Sequence, residues 1–403
     1  MNSISPVTNI YDCIVVGKGL IGSAAAKYLS LFYENVAAIG PDEPAGDLSQ
    51  SVVFSSHYDS GRVQRIIGTD AVWTKINHES AKRYTAIAAE SNIKFHSGVG
   101  CLYVTPDEKD TYIKQLPELA KKFDVHYNFF EDGNSLQKSF PEYVFPSQIK
   151  AMKESSPSGH INPRLLIKAQ LSIFTKHSGS VINDTVNKMT HYNGDFYIKT
   201  ISGKNFCTKK VLLAPGAFAN FFGWLPGNLS FRLKGETVLL AKVSEEEAER
   251  LSDLPSLLYE IKSEKLDGIY LIRPVQYPDG NYYLKMGCNL AEDKFFTGLE
   301  DIQQWFRYGD SDSYIARQSA QLKKILPNIS VEQYFTKRCI ITRTKSTKPY
   351  IGKVNDDGLF VATGGNGYGA MCSDELGKIA AQVIKKGKIP AEYPPAVFNP
   401  VYD

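Results

Sequence analysis

Three glycines near the start of the chain have the spacing of a phosphate-binding turn. Gly17, Gly19 and Gly22 follow an apolar run and precede small and apolar residues with helical spacing. In a Gly-x-Gly-x-x-Gly turn the first glycine permits the tight bend, the second lets the backbone approach a pyrophosphate, and the third allows close packing of helix and strand. Because the free N–H groups of a helix N-terminus bind phosphate oxygens, the pattern predicts a dinucleotide site that includes Leu20 and Ile21.

The end of the next strand leaves the kind of dinucleotide open. Gly40 stands where an acidic residue usually bonds the ribose hydroxyls. Asp42 lies two residues further on and could reach the ribose, or it could be an ordinary turn residue in "GPDEP". Nicotinamide and flavin enzymes share this glycine turn, so the turn alone does not choose between them.

Length and composition exclude several classes of protein. A chain of 403 residues favours two domains, and a net charge of +3 argues against nucleic acid as the main partner. No apolar run approaches the roughly 18–20 residues that cross a bilayer, and the N-terminus lacks the pattern of a signal peptide, so we expect a cytoplasmic protein. The cysteines contain no Cys-x-x-Cys, which argues against a zinc site and a disulfide framework. The six are Cys13, Cys101, Cys207, Cys288, Cys339 and Cys372.

The middle and the end of the chain have different patterns. Aromatic and β-branched residues predict antiparallel strands in "GCLYVTP", "FYIKTIS", "GETVLLAKV" and "NYYLKMGCNL". Helical stretches such as "DEKDTYIKQLPELAKKF" separate them. Near the end, "LFVATGGNGYGAMCSDELGKIAAQVIKKG" again combines a strand, a glycine-rich turn and a helix. We therefore predict a nucleotide-binding domain built from distant segments, with a substrate domain inserted between them.

Several segments resemble flavoproteins of the D-amino acid oxidase family, in order and spacing across essentially the whole chain. They are "SGHINPRLLIKA" (158–169), "VLLAPGAFAN" (211–220) and "TKPYIGKVNDDGLFVATGGNGYGAMCSDELGK" (347–378). Within that family the chain is most similar to amine oxidases of the monomeric sarcosine oxidase type. This similarity lies in "SSHYDSGRVQR" (55–65), "YYLKMGCN" (282–289) and "RCIITRT" (338–344).

The resemblance implies an α/β fold with FAD as the cofactor. A Rossmann-like FAD-binding domain would be built from discontinuous segments, beside an α+β substrate domain with an antiparallel sheet. We predict that the FAD-binding domain takes residues 1–85, 150–230 and 335–403. The substrate domain would take residues 86–149 and 231–334.

The resemblance also implies roles for four side chains. Lys285 matches the lysine that activates oxygen; the alternative is a surface lysine that points outward from a strand. Arg62 and Arg65 match paired arginines beside the flavin, with Arg65 facing the substrate; the alternative is two arginines on a helix surface at i, i+3. Cys339 matches the cysteine that is joined covalently to the flavin 8α-methyl group; the alternative is a buried strand cysteine.

The resemblance implies that the C-terminal loop binds the flavin through its backbone N–H groups. Its predicted cofactor-binding residues are Gly364, Gly365, Asn366, Gly367, Tyr368, Gly369 and Met371.

The chain departs from the sarcosine oxidase pattern at three positions. Met371 replaces the lysine that holds the substrate carboxylate, Asn289 replaces a histidine near the reacting carbon, and Ile341 replaces an aromatic residue. Without that lysine, simple N-methylglycine is not the expected substrate. Arg65 or Arg273 could bind an anion instead, and we predict a catalytic role for Asn289.

We expect an FAD-dependent oxidase of a secondary amine or amino acid. The C–N bond would be oxidised to an imine that hydrolyses, and oxygen would be reduced to hydrogen peroxide. One alternative is an amine dehydrogenase with another electron acceptor, and a second is a flavin-binding subunit without chemistry of its own. The expected partners are a small amine or amino acid and oxygen, not nucleic acid or a membrane. We expect a monomer or homodimer.

Overall fold

The computed structural model describes residues 10–46, 48–106, 110–262 and 266–403. The strands, numbered in chain order, are β1 (Ile10–Tyr11), β2 (Cys13–Val16), β3 (Val36–Gly40), β4 (Arg62–Gln64), β5 (His96–Ser97), β6 (Cys101–Thr105), β7 (Tyr127–Phe130), β8 (Lys150–Glu154), β9 (Gly159–Ile161), β10 (Ser180–Asn183), β11 (Val186–Tyr192), β12 (Asp195–Thr200), β13 (Asn205–Thr208), β14 (Val211–Leu213), β15 (Phe231–Val243), β16 (Ser256–Lys262), β17 (Leu266–Gln276), β18 (Tyr282–Leu290), β19 (Phe295–Phe296), β20 (Gln333–Thr344), β21 (Tyr350–Lys353) and β22 (Leu359–Thr363). The helices are α1 (Leu20–Leu29), α2 (Ala71–Ser91), α3 (Thr111–Lys122), α4 (Gly133–Ser139), α5 (Pro163–Lys176), α6 (Glu245–Arg250), α7 (Leu299–Tyr308), α8 (Ile315–Ile325) and α9 (Gly369–Lys386).

A six-stranded sheet contains both predicted glycine turns. Its order is β10-β3-β2-β14-β22-β21, and its strands pair in parallel except β21 with β22. Since neighbouring side chains of a strand point to opposite faces, Cys13 and Val15 pack among residues of α1 and α9. Ile14 and Val16 pack on the other face, against the sheet β1-β13-β12-β11. The predicted β-α-β unit is confirmed.

A buried ion-pair network joins the helices that cover this sheet. Asp374 of α9 is fully buried, and its Oδ1 accepts hydrogen bonds from Lys27 Nζ of α1 at 2.7 Å and Gln170 Nε2 of α5 at 3.0 Å. Its Oδ2 accepts from Arg83 Nε of α2 at 2.6 Å. One carboxylate thus connects four helices.

A mixed sheet forms the other large layer. Its order is β19-β15-β18-β17-β16-β6-β8-β7, and β20 pairs with β15 along twelve residues of each strand, from Phe231↔Thr344 to Lys242↔Gln333. The pair β6–β16 is parallel, although the sequence patterns predict antiparallel strands. Residues 150–154 and 335–344, predicted for the FAD-binding domain, lie in this sheet because β8 pairs with β6 and β20 pairs with β15. The two-domain division itself stays a prediction.

The predicted fold class is confirmed by the layered α/β architecture. The helix predicted in "DEKDTYIKQLPELAKKF" begins at Thr111, and residues 107–109 lie outside the described part of the chain. Within residues 10–46, 48–106, 110–262 and 266–403, no helix combines the length and apolarity needed to span a membrane.

We predict that Asp374→Asn destabilises the fold strongly. It removes the only negative charge within ion-pair distance of Lys27 among the described residues, leaving that ammonium buried. Breaking such a pair costs about 3 to 5 kcal/mol, which a urea-unfolding measurement would show as a lower free energy of unfolding. Asp356→Asn is the matched control, because it breaks the exposed Lys353–Asp356 pair and should change nothing measurable. Equal effects in the two variants would contradict the prediction.

The same network determines how the free energy of unfolding changes with pH. Burial opposes ionisation of Asp374, but Lys27 and Arg83 outweigh burial and lower its pKa below 3.8. Its stabilising contribution is therefore present above the pKa of an unfolded aspartate, about 3.9, and is lost as the pH falls through the lower folded value.

Candidate active site

The glycine turn after β2 has the predicted geometry. Gly17 has a φ of +103°, and a Cβ at this position would overlap the carbonyl oxygen of Ala214. A Cβ at Gly22 would overlap the carbonyl oxygen of Gly17. Gly19 is the N-cap of α1 and provides no side chain that could bond the first-turn N–H groups. These groups and the helix dipole are therefore available to a phosphate.

A cavity of about 410 Å³ begins at this turn and is lined by residues of both large sheets. Most of the predicted site residues line it, and they are Gly17, Gly19, Leu20, Ile21, Arg62, Arg65, Asn289, Cys339, Gly364, Gly365, Asn366, Gly367, Tyr368, Gly369 and Met371. The predicted residues Gly22, Asp42 and Lys285 do not line it. Arg273, the alternative anion-binding residue, also lies outside the lining and donates to Ser97 Oγ at 3.4 Å.

The packing around Gly40 explains the missing acidic residue at this position. A Cβ on Gly40 would lie 2.8 Å from the backbone nitrogen of Lys18, so a longer side chain has no room. Lys18 is buried, lines the cavity and forms an ion pair with Asp42. Sequence reasoning missed Lys18, whose one signal is its position inside the glycine turn. A ribose contact from Asp42 stays a prediction.

The C-terminal loop also lines the cavity and is fixed to β20. Gly364 and Gly367 have φ values of +83° and +84°. Asn366 Oδ1 accepts the backbone N–H of Thr344 at 2.9 Å. The helix α9 begins directly after this loop, and its N-cap Tyr368 provides no side-chain cap. A second helix N-terminus therefore opens onto the same cavity.

Two predicted cations share one buried carboxylate. Asp59 forms ion pairs with Lys285 Nζ and with Arg62 Nε, the latter at 2.9 Å, and Lys285 also donates to the Gly61 carbonyl oxygen at 2.9 Å. Lys285 is fully buried, so its interpretation as a surface lysine is wrong. Arg62 lies on strand β4, so its interpretation as a helix-surface arginine is also wrong. Burial and the nearby Arg62 lower the pKa of Lys285 to about 8, although Asp59 opposes them.

Cys339 lies on the cavity wall beside one of these cations. Its Sγ is 3.7 Å from Nη2 of Arg62. Cys288, the other cysteine of the cavity lining, contacts Gln318 Nε2 at 3.5 Å, and burial raises its pKa to about 11. Cys339 is therefore the cavity cysteine that has a guanidinium next to it. Its covalent bond to FAD stays a prediction.

Arg65 is a buried guanidinium on the cavity wall. Within the described part of the chain it forms no ion pair, and its Nη1 donates to the hydroxyl of Tyr112. Its Cζ lies 5.0 Å and 5.6 Å from the ring centroids of Tyr112 and Tyr368. The nearby Glu154 is occupied by the backbone N–H of Ile66 at 2.7 Å and by other donors. Arg65 is thus placed to bind an anionic group in the cavity.

The mixed sheet adds polar residues that sequence reasoning missed. Glu236 of β15 and Glu260 of β16 line the cavity near Asn289. Lys234 Nζ donates to Glu236 Oε2 at 2.7 Å and to Asn289 Oδ1 at 2.9 Å. Burial raises the pKa of Glu236, although Lys234 opposes this. These carboxylates belong to no recognisable sequence motif, because it is the pairing of distant strands that brings them to the cavity.

The lining fits an anionic dinucleotide such as FAD. Trp224 Nε1 and Tyr270 Oη are buried on the cavity wall and have no hydrogen-bond partner among the described residues. Buried polar atoms are nearly always bonded, so these two atoms indicate a polar ligand. Two open helix N-termini and the guanidinium groups of Arg62 and Arg65 add positive potential.

These features belong to a known class of protein. The chain matches the FAD dependent oxidoreductase family over residues 12–383 and belongs to that family. FAD, the predicted cofactor, is thereby confirmed, as is the resemblance to the D-amino acid oxidase group.

The chain is similar to several named oxidases. N-methyl-L-tryptophan oxidase of Yersinia pestis (strain Pestoides F) is 23% identical over 211 residues, which cover 51% of this chain and 53% of the relative. The match thus spans about half the length of such curated relatives. Glycine oxidase from Geobacillus kaustophilus has a TM-score of 0.74 at 17% identity, covering 98% of this chain and 99% of the other. NikD, an amino acid oxidase of nikkomycin biosynthesis, has a TM-score of 0.76 at 16% identity and covers 98% of both chains. At these identities the solved structures establish the fold.

We predict that Cys339 holds FAD covalently, since it is the cavity cysteine beside Arg62. The intact mass of the denatured protein should then include FAD, and Cys339→Ala should remove this added mass. Cys288→Ala is the matched control and should keep it. A parent protein whose denatured chain has the mass of the polypeptide alone would contradict the prediction.

Proposed function

We propose that the protein oxidises a secondary amine or an amino acid at its C–N bond, with oxygen as the electron acceptor. The observation that carries the proposal is the buried cation Lys285, which lies with Arg62 on one carboxylate directly behind the cavity wall. Two cations and one anion leave a net positive charge there. A fixed positive charge in a dry site stabilises the negative charge that develops as oxygen is reduced.

The proposed reaction balances without a further reactant. The carbon next to the neutral amine loses a hydride, the nitrogen lone pair forms the C=N bond, and a proton leaves the nitrogen. When bound, FAD supplies the acceptor for that hydride. Water then hydrolyses the imine to a carbonyl compound and an amine, and oxygen takes up two electrons and two protons to give hydrogen peroxide. The chain's own task is to orient the amine and to keep water away from the reacting carbon.

The walls of the cavity favour an amine with an apolar side chain and one anionic group. Leu258, Ile341 and Met371 provide apolar surface, and Met371 supplies no charge for a carboxylate. Arg65 is a buried cation of the wall that forms no ion pair among the described residues and could bind one. The name of the relative N-methyl-L-tryptophan oxidase supports N-methylated amino acids with large apolar side chains as the first compounds to test.

We predict that Lys285→Met slows the reaction of the reduced protein with oxygen at least about 100-fold, because it removes the buried cation. The protein is reduced without oxygen, mixed with oxygenated buffer, and followed by flavin absorbance. Lys210→Met is the matched control: this partly buried lysine, 4.8 Å from the Tyr33 ring centroid, lies outside the cavity lining and should not affect the rate. Equal oxygen rates in Lys285→Met and the parent would instead favour a dehydrogenase with another acceptor.

We predict that Arg65→Met raises KM for an N-methyl amino acid at least about tenfold, the loss of one charged hydrogen bond. The corresponding amine without a carboxylate should show little change, since it offers Arg65 no anion. Arg273→Met tests the alternative cation and should leave both KM values unchanged. A rise in KM in Arg273→Met, with none in Arg65→Met, would contradict the assignment.

A further inference from the structure

The carboxylate of Asp59 uses both oxygens to connect separate parts of the fold. Oδ2 contacts Lys285 Nζ of β18 and lies 2.9 Å from Arg62 Nε of β4. Oδ1 accepts from Tyr277 Oη at 2.7 Å and from the backbone N–H of Ser60 at 2.9 Å. Asp59 is buried, so water does not replace any of these donors.

The segment that carries Asp59 is packed firmly onto the mixed sheet. The Gly61 carbonyl oxygen accepts from Lys285 Nζ at 2.9 Å, and a Cβ on Gly61 would lie 3.0 Å from Ile272 Cγ2. Lys285 lies between Leu240 of β15 and Ile272 of β17 in the sheet, so its backbone is fixed as well. Neither end of the Asp59–Lys285 contact can therefore shift without moving a packed element.

Asp59 does not line the cavity, whereas Arg62 does. Arg62 reaches the wall from Asp59 and makes further contacts there, with the Ser56 carbonyl oxygen at 2.7 Å and Cys339 Sγ at 3.7 Å. The carboxylate thus acts on the cavity only through the cations that it holds.

We infer that Asp59 is a positioning residue that keeps Lys285 charged and holds it beside Arg62 of the cavity wall. This inference rests on the proposed function in one respect, which is that the charge of Lys285 promotes the reaction with oxygen. The ion pairs themselves are properties of the fold.

The electrostatic consequence follows from the groups that face Lys285. Besides Asp59 on the connecting segment, they are Arg62 on β4, Tyr270 on β17, Tyr277 just after β17 and Cys339 on β20. Asp59 is the carboxylate among these described groups, and without it burial and Arg62 would act on Lys285 unopposed. Since an opposite charge within about 4–6 Å moves a pKa by roughly 1–3 units, loss of Asp59 should lower the pKa of Lys285 by at least about one unit.

The experiment is a pH titration of the visible absorbance of the bound, oxidised FAD, which requires neither an amine nor oxygen. The purified holoprotein should show a spectral step near pH 8, the value to which burial and Arg62 lower the pKa of Lys285. Lys285→Met should abolish this step. Asp59→Asn should move it to lower pH by at least about one unit. Adding Asp59→Asn to Lys285→Met should have no further effect on the titration, because the two residues act as one unit.

Tyr277→Phe is the matched control, because it removes one hydrogen bond to Asp59 but leaves both ion pairs. Its step should stay near that of the parent. If Asp59→Asn does not fold, Asp59→Ser decides: it also removes the negative charge but takes less space, and its step should likewise move to lower pH. The inference is overturned if the Asp59 variant titrates like the parent, or if the parent shows no step that Lys285→Met abolishes. Failure of the proposed function would appear separately, as a parent protein that amines do not reduce.

Discussion

The ion pairs of Asp59 with Lys285 and Arg62 are the interaction on which the cavity depends. A buried carboxylate between two cations is stable only when its remaining lone pairs are also bonded, and Tyr277 and the backbone of Ser60 provide these bonds. The cluster joins the segment before β4 to the mixed sheet. Since this junction lies next to the cavity, the contacts that join the segment to the sheet also set the charge beside the cavity wall.

The charged residues of the cavity come from two parts of the fold. Lys18, Arg62 and Arg65 come from the segments that follow β2 and β3, whereas the mixed sheet supplies Glu236, Glu260 and Arg343. The three cations of the first group suit an anionic dinucleotide. Lys18 also accounts for Gly40: the side chain of Lys18 fills the space in which an acidic residue would lie.

Local patterns were sufficient for the glycine turns, whereas Arg62, Arg65 and Cys339 were predicted from the family resemblance. Gly17 and Gly364 are recognisable in the sequence because each lies between a strand and a helix. The structure gives both a positive φ. Contacts between distant segments could not be predicted from the sequence. Asp59 and Lys285 are 226 positions apart, and Glu236 reaches the cavity only through the register of β15 with β20. The same long-range pairing places residues 150–154 and 335–344 in the mixed sheet, where composition gives no sign of it.

Anaerobic titration of the holoprotein with amines is the decisive measurement of amine oxidation, since it isolates reduction of the cofactor by substrate from all oxygen chemistry. N-methylated amino acids and simple secondary amines would be added in turn while the absorbance of the oxidised flavin is followed. If the protein oxidises amines as proposed, at least one of them bleaches the flavin fully. If none does so while dithionite reduces the same sample, the cavity binds FAD without oxidising amines, and the proposed function is wrong.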